Sequence, residues 1–345
     1  WLIICQNTDK KSSRRIYQMP NSGFKVIVTR KLPNTVQSRL KELFDVEFSQ
    51  NDIPLSRNEL LEAMKRAEVL VPTLNDNIDA SLLAEAGNKL KLLANYGSGV
   101  DHIDVEAAHK QGILVSNSPT ISSSDTADMT IALILAVMRR FKEGSNVMES
   151  GDWQGWAPSA FLGTRVSGKT IGILGMGRIG TALAERARAF GLNVHYHNRK
   201  KVHPDTETRL NAKYFKDFHA MLPEIDILAT CCPLSDETHH ILDSKALSLM
   251  KPTAVVVNTA RGALIEETAL ETALLNGRLA AAGLDVLATG KNVNKTLCEL
   301  PNVMLLPHMG SATQEARHEM GETVILNIKM HQDGHRPPNM CIPKF

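Results

Sequence analysis

Cysteine is scarce in this sequence and shows no paired spacing. Cys5, Cys231, Cys232, Cys298 and Cys341 are the whole set. Two of them are adjacent and cannot easily bridge, and none stands in a zinc or redox pattern. Reduced thiols in a cytoplasmic protein are therefore expected, with Cys231 and Cys232 as packing residues after an apolar strand. Long apolar runs are also missing: no stretch approaches the ~20 residues of a membrane span. "WLIIC" at the start has five residues, and Lys10, Lys11, Arg14 and Arg15 follow it. A secretory signal carries its charge before the apolar core. An excess of one charge is missing too. Lys and Arg number 39 against 37 Asp and Glu, a net charge of +2 with no basic stripe, which argues against nucleic-acid binding. No internal repeat or low-complexity segment is evident. The chain starts on Trp, Met19 stands just before the first convincing strand, and residues 1–23 are read as a disordered N-terminal extension.

What is present is alternation. "FKVIVT" (24–29) reads as a strand, and "VQSRLKELFDVEF" (36–48) carries helical spacing. Further helix–strand pairs end at Pro72, Ala94 and Asn117. From Ser122 to Arg140 the spacing predicts one long apolar helix, with serines and Asp125 at its start and two arginines at its end. The loop "SGDWQGWAPSAFLG" follows. Strands are then expected at 171–174, 193–197, 226–230, 254–258, 281–284 and 303–306, and a second long helix after residue 310. This order implies an α/β fold: two doubly wound parallel-sheet domains of Rossmann or flavodoxin type, one inserted into the other. Residues 24–118 and 310–345 would form the outer domain, and 119–309 the inserted one.

The strongest motif is "TIGILGMGRIGTALAERARAFGLNVHYHNRKK" (170–201). Gly175, Gly177 and Gly180 form G-x-G-x-x-G between a strand and a helix, with Arg178 and Ile179 inside it. The first glycine allows a tight turn, the second lets backbone approach a pyrophosphate, and the third lets the helix pack closely. The helix N-terminus adds amides and a positive dipole end for phosphate. NAD sites place Asp or Glu at the end of the second strand. Here Asn198 stands there, followed by Arg199 and Lys200. Asn does not repel a 2′-phosphate and Arg can clamp one, so NADP is the expected cofactor, with NAD possible. The alternative is a solvated basic loop.

Three more segments fall in order: "NYGSGVDHID" (95–104), "VVVNTARGALIEETAL" (255–270) and "AAAGLDVLATG" with "LLPHMGSATQEA" (280–316). Taken singly, Arg261 after a strand reads as a salt-bridge partner and His308 before Gly as structural. Together with the fingerprint, the series resembles the D-isomer-specific 2-hydroxyacid dehydrogenases, from about Phe24 onward. The tryptophan loop and "YHNRKK" are most similar to the glyoxylate/hydroxypyruvate reductase branch.

The resemblance implies an enzyme with definite roles. Backbone amides of Ser98 and Gly99, near Tyr96, would hold a substrate carboxylate. Arg261 would grip that carboxylate and the carbonyl oxygen, and His308 would be the acid. Asp285 would bond the nicotinamide carboxamide, with Pro233 and Thr259 bordering the cofactor. The residue types suit the chemistry. Arg grips carboxylate with a fork, and an acid with a pKa near neutrality must meet the alkoxide that forms as hydride is added. The partners implied are a small 2-oxo or 2-hydroxy acid and a second copy of the chain. The loop with Trp153 and Trp156 and the helix 122–140 would serve that homodimer contact, or equally an intradomain core.

One position departs from the pattern. The family carries Glu in the stretch after Asp285, where it pairs with the histidine and keeps it protonated. Here the position falls on Gly290, followed by Lys291. Three outcomes follow. Water or another carboxylate, such as Glu315 or Glu299, substitutes; or the enzyme turns over slowly and best at lower pH; or the chain is a nucleotide-binding sensor or partner without useful turnover.

Overall fold

The computed structural model of the chain describes residues 24–343 except Thr120, Thr289 and Lys291. The expected N-terminal extension and Lys291 lie outside the described residues. Two all-parallel sheets account for the strands. The first contains β1 (Lys25–Val28), β2 (Asp45–Phe48), β3 (Val69–Val71), β4 (Leu92–Ala94) and β5 (Leu114–Ser116), in the order β2-β1-β3-β4-β5. Its crossovers are α1 (Asn34–Leu43), α2 (Arg57–Arg66), α3 (Ala80–Glu85) and α4 (Val105–Lys110). Then come α5 (Ser123–Met138) and α6 (Phe141–Ser150).

The second sheet has seven strands: β6 (Thr170–Leu174), β7 (Asn193–His197), β8 (Ala212–Phe215), β9 (Ile227–Thr230), β10 (Val255–Asn258), β11 (Ala281–Leu284) and β12 (Val303–Leu305). Their order is β12-β11-β10-β9-β6-β7-β8. The helices between them are α7 (Arg178–Ala189), α8 (Pro204–Leu210), α9 (Phe218–Met221), α10 (Ser244–Leu249), α11 (Glu267–Leu275) and α12 (Lys295–Glu299), and α13 (Gln314–Gln332) follows β12. Strand order reverses at β6, with β9 on one side and β7 on the other. That reversal opens the crevice where such sheets bind ligands.

Central strands such as Val255-Val256-Val257 are buried on both faces, as a sheet covered by helices on each side requires. Helix starts are set by short polar caps. Ser56 and Glu59 form a reciprocal capping box on α2, while Asp79, Asp104, Asp243 and Thr313 each accept a first-turn amide. Helix α5 packs on the seven-stranded sheet, its Leu133 and Ile134 joining Ile171 and Val257 in one core. Helix α13 packs on the other: Met320, Val324 and Ile328 share a core with Val26, Val36 and Leu92.

Three elements differ from the sequence reading. "DVEF" is not the end of a helix. Phe44 turns extended and residues 45–48 pair with β1 as an edge strand, where one polar face stays in solvent. The expected long helix ends at Met138, because Arg140 adopts a left-handed φ of 58° and α6 starts afresh after it. Strand β8, Ala212–Phe215, was not expected. It is an edge strand paired only with β7, so its alternation is weak.

Gly321 fixes the fit of α13 on α1. A Cβ there would collide with both methyls of Val36, a β-branched side chain with little freedom to move. Gly321→Ala should cost ~1–3 kcal/mol of stability, as overpacking does. Urea unfolding checks this, and a variant as stable as the wild type would contradict it.

Candidate active site

The glycine fingerprint forms a cradle at the crevice beside β6. Gly175 has φ +101°, and a Cβ there would lie 2.6 Å from the Cys232 amide nitrogen. A Cβ on Gly180 would collide with the carbonyl of Gly175. These two glycines are required by packing. Gly177, at the N-cap of α7, is different: a Cβ there would meet nothing within 4 Å. The second glycine therefore faces open space at a helix N-terminus, the arrangement a pyrophosphate needs. Asn198 holds the loop in shape, its Oδ1 accepting the Met176 amide at 2.7 Å. Arg178 reaches back and donates to the Pro119 carbonyl at 3.2 Å. Arg199 and Lys200 are exposed at the end of β7 and make no hydrogen bond or ion pair with the described residues. Lys201, by contrast, pairs with Glu207 at 2.8 Å.

The carboxyl ends of both sheets face a cavity of about 520 Å³. Tyr96, Ser98, Gly99 and Asp101 line it from the turn after β4; Ile179, Pro233, Thr259, Arg261, Asp285 and His308 line it from the other side. Arg261 is set by Asn258, which is fully buried. The Asn258 amide donates to the Arg261 carbonyl at 2.8 Å, and its Oδ1 accepts from Thr230 at 2.6 Å and from the Ala260 amide at 3.0 Å. The guanidinium of Arg261 then crosses the cavity to Asp101. Nε lies 3.0 Å from both carboxylate oxygens and Nη2 lies 2.8 Å from Oδ1.

His308 follows β12 in a tight turn with φ +56°, uncommon for a residue with a Cβ. Asp285, at the end of β11, holds that turn. Its carbonyl accepts the His308 amide at 2.8 Å, and its two carboxylate oxygens accept the amides of Met309 and Gly310 at 2.7 Å each. Burial lifts the Asp285 carboxyl above the usual carboxylate range, and those two amides oppose the rise.

The charge on His308 is set by four neighbours. Burial pushes its pKa below the ordinary histidine value, and the Arg261 charge pushes the same way. Asp285 opposes them, Arg317 of α13 lowers it further, and Asp101 raises it. Three other groups lining the cavity, two thiols and a phenol, stay protonated at neutral pH. Burial lifts the thiols of Cys231 and Cys232 to about 12 and about 11, and the Tyr96 hydroxyl to about 12. Neither cysteine is a thiolate nucleophile. The Tyr96 hydroxyl donates to the carbonyl of Arg317 at 2.5 Å.

Known proteins share both the sequence and the fold. Residues 131–310 match the model of the D-isomer-specific 2-hydroxyacid dehydrogenase NAD-binding domain. The chain is 42% identical over 320 residues to a glyoxylate reductase of Thermococcus litoralis, covering 92% of this chain and 96% of that protein. The chain belongs to the D-isomer-specific 2-hydroxyacid dehydrogenase family. It is an NAD(P)-dependent oxidoreductase. Among solved structures of the family, a putative member from Polaromonas superposes with a TM-score of 0.86 at 36% identity, covering 92% of this chain and 99% of that one. An NADPH-dependent glyoxylate/hydroxypyruvate reductase from Sinorhizobium meliloti, in complex with NADP and malonate, superposes with a TM-score of 0.82 at 31% identity, covering 93% and 97%.

Within this dehydrogenase fold the residues singled out in the sequence fall in two groups. Those of the cleft come together. Asn198, Arg199 and Lys200 stand apart at the end of β7, beside the fingerprint. Gly290 has φ +57°, is exposed, and is not among the residues lining the cleft. Glu315 and Glu299 are exposed on their helices, and neither contributes to the charge of His308. The carboxylates that do are Asp285 and Asp101. Asp101 sits inside the quoted "NYGSGVDHID", and its partner Arg261 lies 160 residues away, so no local pattern pairs them. Arg317 lies on the face of α13 that meets the cleft, four residues after Thr313, and only tertiary packing reveals that position.

Because Arg317 depresses His308 by charge alone, Arg317→Met should raise the histidine pKa toward its ordinary value. An NMR titration of the His308 ring checks this. An unmoved or lowered pKa would contradict the assignment.

Proposed function

We propose that the chain reduces a small 2-oxo acid, glyoxylate or hydroxypyruvate, to the D-2-hydroxy acid, with NADPH as the preferred cofactor. The observation that carries this reading is the meeting of Arg261 and His308 in one cleft beside the open glycine cradle. The names of the relatives agree with it.

The chain's own residues divide the work. Gly175, Gly177 and Gly180, with Arg178 and Ile179, hold the pyrophosphate, and Asn198, Arg199 and Lys200 receive the adenosine 2′-phosphate. Pro233, Thr259 and Asp285 border the nicotinamide, which supplies the hydride when bound. The amides of Ser98 and Gly99 donate to no acceptor among the described residues, and they receive the substrate carboxylate beside Tyr96. Arg261 grips carboxylate and carbonyl oxygen. His308 gives its proton to that oxygen as negative charge develops. The outer unit, 24–118 with 310–345, carries the carboxylate amides, and the inserted unit, 119–309, carries the cofactor. Closure between them excludes water.

Gly290 favours a second reading, a nucleotide-binding sensor or partner with little turnover. With no Glu facing it, and with burial and Arg261 against its charge, His308 is mainly neutral in the free protein at pH 7. Reduction needs the protonated ring, so kcat/KM should rise as pH falls from 7.5 toward 5.5. Steady-state reduction of glyoxylate and hydroxypyruvate from pH 5 to 8, with NADPH and with NADH, decides between the readings. The enzyme reading expects turnover, NADPH preferred, and ~10²–10⁴-fold loss in His308→Gln with nucleotide binding kept. Tight NADPH binding without turnover at any pH would establish the sensor instead.

The proposed dimer rests on exposed apolar side chains along α6 and the loop after it. Trp156 is 84% exposed, and Phe141, Met148, Trp153 and Leu162 are also exposed. Such exposure marks an association surface, and we assign it to a second copy of the chain. Light scattering should give a dimer for the wild type and a shift toward monomer for Trp156→Asp. A monomeric wild type would refute the assignment.

A further inference from the structure

Arg261 is the residue proposed to grip substrate, yet its guanidinium is already bound. Asp101 takes it with both carboxylate oxygens at 2.8–3.0 Å, the forked geometry of an arginine with a substrate carboxylate. The pair also fills the seat expected for the substrate. A Cβ on Gly99 would collide with Nη2 of Arg261 and lie 2.9 Å from Oδ1 of Asp101. The amides of Ser98 and Gly99, without acceptors among the described residues, flank the same spot. The two partners come from opposite sides of the cleft: Asp101 from the turn after β4, Arg261 from the turn after β10. The contact is therefore a strap between the two sheets as well as an ion pair.

We propose that Asp101 is an internal carboxylate that occupies Arg261 in the ligand-free protein, and that a 2-oxo acid binds by exchange, its carboxylate displacing Asp101 from the guanidinium. The inference rests on the proposed role of Arg261. Asp101 is thus a specificity-determining residue: a ligand enters only if its anionic group competes with an aspartate already in place. Neutral carbonyl compounds cannot make the exchange, because they offer the fork no charge. A monocarboxylate with a neighbouring oxygen can, because it adds the carbonyl contact that Asp101 lacks. No covalent step is involved.

Calorimetry with oxalate, a non-reacting dicarboxylate, on the NADPH-loaded protein tests this without turnover. Asp101→Asn keeps the shape of the side chain and removes its charge. The exchange predicts about tenfold tighter oxalate binding in Asp101→Asn, and a lower KM for glyoxylate with kcat changed less. Asp101→Glu keeps the charge and should bind oxalate like the wild type. Asp101→Ser, checked by its melting curve, repeats the measurement if the asparagine variant folds poorly. Unchanged or weaker oxalate binding in the variants that lack the charge would overturn the proposal, weaker binding meaning that Asp101 orients Arg261 for substrate. Arg261→Gln separates the two claims. If it binds oxalate as the wild type does, the role given to Arg261 fails. If it loses binding while Asp101→Asn gains none, only the exchange fails.

Discussion

The geometry of the cleft hangs on the buried carboxylate of Asp285, which is 1% exposed. A carboxylate in such a place is expensive unless its oxygens are satisfied. Here both are, by the amides of Met309 and Gly310, while the Asp285 carbonyl takes the amide of His308. Three hydrogen bonds from one residue thus fix three successive backbone amides. They hold His308 at φ +56°, a conformation that costs a residue with a Cβ roughly 1–2 kcal/mol. Gly310 completes the fit, because a Cβ there would lie 2.9 Å from the Asp285 carboxylate. The same chain of contacts runs back through the sheet: the Asp285 amide donates to the Asn258 carbonyl, and Asn258 shapes the turn of Arg261. The ends of β10, β11 and β12 are therefore one hydrogen-bonded unit carrying both Arg261 and His308.

That unit explains why the two groups oppose each other electrostatically. On the proposed reading Arg261 stands near the carbonyl oxygen that His308 protonates, and its charge reaches the ring. A cation beside a histidine disfavours the imidazolium. On the proposed reading, the position of the glutamate expected behind the ring falls on Gly290, which is exposed and carries no charge. What remains is Asp285, whose oxygens are occupied by amides, and Asp101, whose charge is bound to Arg261. Neither is a dedicated hydrogen-bond partner of the ring among the described contacts.

Much of the fold was legible because its signals are local. Strand–helix alternation, the glycine fingerprint and the polar caps all act within a few residues. Gly175 and Gly180 serve the roles their motif assigns, one in a turn and one in close packing. What escaped was either marginal or distant. Edge strands β2 and β8 have one wet face and weak alternation, so "DVEF" read as helix. The restart of the chain as α6 directly after Arg140 is a backbone choice that its sequence neighbours do not announce. In the site, Arg261, His308 and Asp285 were found because their order along the chain matches a family. The strap from Arg261 to Asp101 spans 160 residues, and Arg317 meets the cleft only because α13 returns to the first sheet. Glu315 and Glu299 looked available in sequence, but their helices turn them to solvent.

On the proposed reading, the missing glutamate need not leave the acid unarmed. Any charge that raises the His308 pKa favours the protonated ring, whether it belongs to the protein or to the ligand. A substrate carboxylate seated on Arg261 brings a negative charge into a cleft from which water is being excluded. It weakens the very cation that depresses the histidine, and if it displaces Asp101 it adds to that charge without removing it. Binding and protonation are then linked: substrate binds better to the protein with a charged ring, and the ring charges more readily once substrate is bound. A glutamate would hold the proton at all times, with or without ligand. Without it, proton uptake is tied to the arrival of the anion, and the free protein rests with a neutral histidine behind a closed ion pair.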